Sequence, residues 1–226
     1  MEEILLKYIP NVLNNKAELI KCINETLVMV SISGIISLFI GTLVGVFLVV
    51  TKKGNILENT TLNSIFDKAI NTFRSIPFII LLAALIPLTR MIVGTAIGTK
   101  GAIVPLVFGT VPFFARQIET ALLEVDKGVV EAAQAMGSGP WDIIFRVYLR
   151  ESLPGIIRGV TITFVSLIGL SAMAGSIGGG GLGDFAIRYG YQRFQLDITY
   201  VTIIILLIFV SIVQGLGNLL IKKITH

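Results

Sequence analysis

Groups able to make or break bonds are scarce in this chain and poorly placed for it. The one histidine, His226, is the last residue, which argues against imidazole-based metal or acid–base work. The one cysteine, Cys22, has no internal partner for a disulfide and reads as a passive thiol just ahead of a long apolar run. Acidic side chains lie almost entirely outside the apolar runs. That disfavours a proton-driven carrier, and equally a hydrolase working inside a bilayer, which would need buried Asp, His or Ser–Lys groups. Gly178, Gly180 and Gly183 fit the G-x-G-x-x-G spacing literally, but they follow an apolar run and have no strand–turn–helix unit around them. No Gly-Lys-Ser/Thr follows, so they are not a phosphate loop either. They read as close backbone packing or an unwound segment.

The polar exception is Glu131-Ala132-Ala133-Gln134-Ala135-Met136-Gly137, followed by Ser138-Gly139-Pro140-Trp141. Val129, Val130, Ala132, Ala133 and Met136 recur at helical intervals. Ala favours helix, and Gly137 suits a left-handed C-terminal cap. Pro140 suits the first turn of a second helix, with Asp142 near its positive end and Ile143, Ile144, Val147 and Leu149 continuing it. The segment therefore reads as helix, glycine turn, helix, and periodicity alone leaves open an inert amphipathic connector. Trp141 suits either a docking anchor or a position at a membrane surface.

The elements around this insert are apolar. Of 226 residues, 54% are hydrophobic and 14% charged, with mean hydropathy +0.87. Soluble domains carry roughly 25% charge. Three charge-free windows, Thr26–Val50, Gly159–Gly183 and Ile198–Ile221, run 25, 25 and 24 residues, enough to cross a bilayer as helix. Two shorter windows of 15, Ser75–Thr89 and Gly101–Ala115, end at Arg74, Arg90, Lys100 and Arg116. Such side chains can reach the interface. The spacing predicts an all-α integral membrane protein with five spans, about 25–50, 69–89, 99–117, 157–178 and 198–221. Pro77 and Pro87 interrupt the second and Pro105 and Pro112 the third, the pattern of a transport path.

The segment 118–156 then forms a loop between spans. If it is cytoplasmic, 11 of the 18 Lys and Arg residues lie on that side, a modest bias that favours this orientation under the positive-inside rule. The N-terminus is then outside, 222–226 form a cytoplasmic tail, and segment 1–24 is external. Ile4, Leu5, Tyr8, Ile9, Val12 and Leu13 give that segment the spacing of an interfacial helix, although Pro10 limits its regularity. The acidic start, Met1-Glu2-Glu3, is unlike a cleavable signal. The net charge of +4 is accounted for by residues flanking spans, not by a nucleic-acid-binding face.

The insert resembles the coupling loop of ABC-importer membrane subunits. Glu131, Ala132, Ala133 and Gly137 match its pattern, as does Val147-x-Leu149, while Arg150 stands where a proline commonly closes the motif and the next proline is Pro154. The runs Phe73–Leu82, Ile103–Leu106, Ala121–Glu124 and Ser171–Met173 are similar to the permeases of methionine importers. The resemblance covers about residues 25–221 and implies the type I importer fold. It implies a homodimer in the bacterial inner membrane, two cytoplasmic ATPases carrying ATP and Mg, and an extracytoplasmic methionine-binding lipoprotein. The chain itself would hold no cofactor. Glu131, Ala132, Ala133, Gly137 and Trp141 would meet the ATPase, with Glu131 able to pair with a basic group there. Met173 would stand at a gate, with Leu170, Pro77 and Pro105 along the path. An aromatic residue would be expected where Leu170 stands. From its chemistry alone, Met173 is equally an ordinary core or lipid-facing methionine. An importer of another amino acid or small polar solute is the alternative function.

Overall fold

The computed structural model describes residues 8–224. Its contacts divide the chain into two compact units. Within the described residues, the first takes the chain up to Ile35, Pro77–Val107 and Phe164–Gln214; the second takes Ile36–Ile76, Phe108–Thr163 and the chain from Gly215 on.

All regular structure among the described residues is helical. In order, the helices are α1 (Pro10–Asn14), α2 (Lys16–Val50), α3 (Thr60–Ser75), α4 (Phe78–Ala84), α5 (Ile86–Val93), α6 (Gly98–Leu123) and α7 (Lys127–Ala135). Next comes α8 (140–151), wound as a π-helix over Ile143–Tyr148, then α9 (Leu153–Ala174), α10 (181–191) and α11 (Leu196–Ile224). Four helical stretches among the described residues are long and apolar enough to cross a membrane: Lys16–Val50, Gly98–Leu123, Leu153–Gly179 and Leu196–Ile224.

Several expected boundaries move. α2 starts at Lys16, not near 25, and its 35 residues span roughly 52 Å at 1.5 Å per residue, well beyond a core of about 30 Å. Its first ten residues include Lys16, Glu18, Lys21 and Glu25, which belong in water. The segment 1–24 is therefore partly helix α2. Of the expected interfacial helix, Ile4 and Leu5 lie outside the described residues. α1 is tied down: the backbone N–H and side-chain amide of Asn11 donate to the Asp197 carboxylate at 2.9 and 3.0 Å. The tail is also helical as far as Ile224, and His226 lies outside the described residues.

The stretch 69–89, expected as one crossing, is three helices. Ile76 is extended (φ −79°, ψ 124°) because the ring of Pro77 excludes helical conformation from the residue before it. A second break falls at Leu85 (φ −86°, ψ 0°), and Pro87 sits harmlessly in the first turn of α5. The stretch 99–117 departs the other way: α6 runs unbroken through Pro105 and Pro112, 26 residues long. Ala102, Val104, Pro105, Leu106, Phe114 and Ala115 are buried along it. Packing holds the helix on course where an isolated one would break.

In the first unit Met29, Val30, Leu82, Ala102, Leu106, Leu167, Ile168 and Ala174 form the core. In the second, Val49, Phe114, Ile118 and Leu122 from α2 and α6 pack with Val130, Ala133, Ile143 and Tyr148. Two glycines one turn apart let α2 and α6 approach closely there. A Cβ at Gly41 would lie 2.7 Å from the Phe114 ring, and one at Gly45 2.6 Å from the Ile118 Cβ, the small-xxx-small logic of membrane helix contacts.

Candidate functional site

The insert lies wholly within the second unit. Asp126 caps α7, its Oδ1 accepting the Gly128 N–H at 2.6 Å. At the other end Gly137 adopts φ +81°. The Ser138 N–H donates to the Ala133 carbonyl at 3.1 Å and the Gly137 N–H to that of Gln134 at 2.9 Å. This pair of bonds is a Schellman cap, which satisfies carbonyls the helix end would leave open. Pro140 then starts α8 behind Gly139.

One face of this helix pair is anchored and the other is open. Val130 and Ala133 are buried with Ile143 and Tyr148, and the Tyr148 hydroxyl donates to Asn55 Oδ1 at 3.0 Å. Glu131, Ala132, Gln134, Met136 and Gly137 are exposed. Ala133 is thus turned inward, so of the two alanines expected to meet a partner only Ala132 faces outward. The turn carries large apolar groups in the open, with Met136 79%, Trp141 72% and Phe145 62% exposed. Trp141 stacks on Phe145, centroids 6.3 Å apart and planes 20° from parallel. Phe145 was missed from sequence, although its i, i+4 spacing from Trp141 was visible. Beside α7 lies a hollow of about 410 Å³ lined by Lys52, Lys53, Lys127, Glu131, Gln134 and Tyr148, among others.

Helices α3 and α6 are locked in this unit by charge. Arg116 donates to Asp67, Glu119 and the Asn71 side-chain oxygen, the last at 2.9 Å, and Lys52 lies 3.8 Å from Glu119. From sequence alone Arg116 reads as the charged end of a span.

The expected gate residues fall in the first unit and behave differently from one another. Met173, near the end of α9, is 52% exposed. Leu170, one turn earlier, packs against the core with Met29 and Leu106. Pro105 is buried, and Pro77 is exposed ahead of α4. After Ala174 the chain leaves helical geometry at Ile177 (φ −117°, ψ 27°) and Gly178 (φ 93°, ψ 15°). The glycine run is thus an unwound turn. Among the described residues no three or more His, Cys, Asp or Glu side chains are grouped to hold a metal ion.

Membrane-length helices with an open helix–turn–helix between α6 and α9 agree with a membrane permease subunit. Residues 37–226 match the family model of the binding-protein-dependent transport system inner membrane component, and the chain belongs to that family. It is 51% identical over 202 residues to the probable D-methionine transport system permease protein MetI of Vibrio cholerae, covering 89% of this chain and 90% of that one. It is 45% identical over 214 residues to the methionine import system permease protein MetP of Bacillus subtilis, covering 95% and 96%. A solved structure of the MetNI methionine ABC transporter in inward-facing conformations superposes with a TM-score of 0.92 at 43% identity, over 94% of this chain and 99% of that one.

Proposed function

We propose that this chain is the permease subunit of an ATP-driven methionine importer in a bacterial inner membrane. Two copies pair, each coupling loop docks on a cytoplasmic ATPase that binds and hydrolyses ATP, and an extracytoplasmic binding lipoprotein delivers L- or D-methionine. The observation that carries the reading is the open surface of Glu131, Met136, Gly137, Trp141 and Phe145 on an anchored helix pair. Exposed aromatic and Met side chains beside a charge are the composition of a protein contact, and the methionine-permease relatives say which transport it serves.

The geometry suits force transmission. The inward faces of α7 and α8 pack on α2 and α6 through Val49, Ile118 and Leu122. A push on the loop by the closing ATPase pair therefore moves those helices. The hollow beside Glu131 accepts an ATPase side chain, and Glu131 offers it a carboxylate. The second of five crossings is made by the broken stretch around α4 and α5, the others by α2, α6, α9 and α11. Met173 seals the path between turnovers.

The test is uptake of labelled methionine into proteoliposomes holding the permease, its ATPase and its binding protein. Accumulation should require ATP and be competed by unlabelled methionine alone among amino acids. Equal uptake without ATP would overturn the coupling; preferential competition by a different amino acid would overturn the substrate.

A further inference from the structure

The turn after Met173 is held by a carboxylate from a helix far away in sequence. Helix α10 begins at Gly181 behind Gly180, which has no side chain to cap it. The first N–H groups of a helix have no partner within it and need one from elsewhere. Here both come from α2. Glu25 Oε2 accepts the Gly181 N–H at 2.8 Å, and Thr26 Oγ1 accepts the Leu182 N–H at 2.8 Å. Thr26 is fully buried, and its hydroxyl donates onward to the Cys22 carbonyl at 3.0 Å. A carboxylate at a helix start is further favoured by the local dipole.

The turn has little freedom to be held otherwise. Gly178, Gly180 and Gly181 have φ of 93°, 78° and 75°, conformations that side chains disfavour. The chain doubles back on the helix it has just left: a Cβ at Gly183 would lie 2.1 Å from the Ala172 carbonyl oxygen. At Gly181 a Cβ would lie 2.6 Å from Thr26 Oγ1. The residues flanking Met173 are thus clasped between the turn and α2. Ser176 completes the clasp by donating to the Met173 carbonyl at 2.7 Å.

We propose that Glu25, seconded by Thr26, is a positioning residue for the gate: it fixes the Gly178–Gly183 turn to α2, so that Met173 moves only when α2 moves. The inference rests on the reading of Met173 as a gate. Substrate passage is then tied to motion of the first turns of α2.

The experiment uses the full permease–ATPase complex with its binding protein in proteoliposomes, comparing E25A, E25Q, T26V and M173A. Two quantities are read at matched amounts of assembled complex: methionine flux without ATP, and methionine imported per ATP hydrolysed. E25A should raise ATP-free flux severalfold and lower the import ratio. E25Q keeps an oxygen that can accept the Gly181 N–H and should restore most of both. T26V should shift both in the same direction by less, and it serves as the milder variant if E25A does not assemble. Wild-type flux and ratio in the Glu25 and Thr26 variants would overturn the proposal, as would a loss of assembled complex with unchanged values per complex. An unchanged M173A is a separate result: it removes Met173 from the gate, whereas a leaky M173A beside an unaltered E25A removes Glu25 alone.

Discussion

Gly137, in the turn of the proposed coupling loop, is constrained by its backbone conformation. A Cβ placed on it would meet nothing within 4 Å, so its φ of +81° is the whole constraint. Left-handed geometry costs an ordinary L-residue about 1–2 kcal/mol, and Asn tolerates it better than a β-branched residue. Gly137→Val should therefore reduce ATP-driven uptake per assembled complex much more than Gly137→Asn. Equal losses would mean that surface contact, not backbone geometry, is what matters there. Glu131→Lys should behave differently, leaving the fold intact and lowering substrate-stimulated ATP hydrolysis; retention of full coupling would remove Glu131 from the docking surface. Cys22 is 1% exposed, packed with Val12, Phe185 and Ile198. A maleimide should label it only after denaturation, and rapid labelling of the native complex would contradict that packing.

At the level of elements, the helix pair of the loop depends on what lies beneath it. Ile143 is 2% exposed, and truncating such a residue to Ala costs about 2–5 kcal/mol through lost transfer energy and the cavity left behind. Ile143→Ala should lower the thermal midpoint of the complex and uncouple ATP hydrolysis from uptake, although it leaves every exposed docking side chain in place. A variant uncoupled at unchanged stability would show that α8 is not held by its underside. The windows without charge were legible as helices because hydrophobicity over some 20 residues has few alternatives in lipid. The Gly137 turn was legible because its signals, alanines, a glycine and then Pro140, are local. The course of α6 through Pro105 and Pro112 was not legible, since proline's penalty is local while the burial that offsets it comes from other helices. The inward turn of Ala133 was hidden for a similar reason: both alanines fit the helix, and only Ile143 and Tyr148 decide which one is covered. Likewise nothing near Gly180 in sequence announces that its cap is supplied by Glu25 and Thr26.

For the whole molecule, the decisive quantity is how helix lengths and charges set orientation. The 29 residues of α11 rise roughly 43 Å, and only 11% of its apolar window is buried within this chain. Such a surface is stable only against lipid or another membrane helix. Its last turn carries Lys222 and Lys223, and Lys52 and Lys53 follow the end of α2. The positive-inside rule assigns both ends to the cytoplasm. On the proposed five crossings, the chain before α2 and the loop 192–195 between α10 and α11 would face outward, and Ser138 in the proposed coupling turn would face inward. Single cysteines at exposed Gln192 and at Ser138, in a Cys22→Ser background, test this directly. In intact cells a membrane-impermeant maleimide should label Q192C and leave S138C unmodified until the membrane is opened. Labelling in the reverse order would invert the topology and put the coupling loop out of reach of any cytoplasmic ATPase. Labelling of both in intact cells would give an even number of crossings between them, contradicting the single passage through α9 on which the orientation depends.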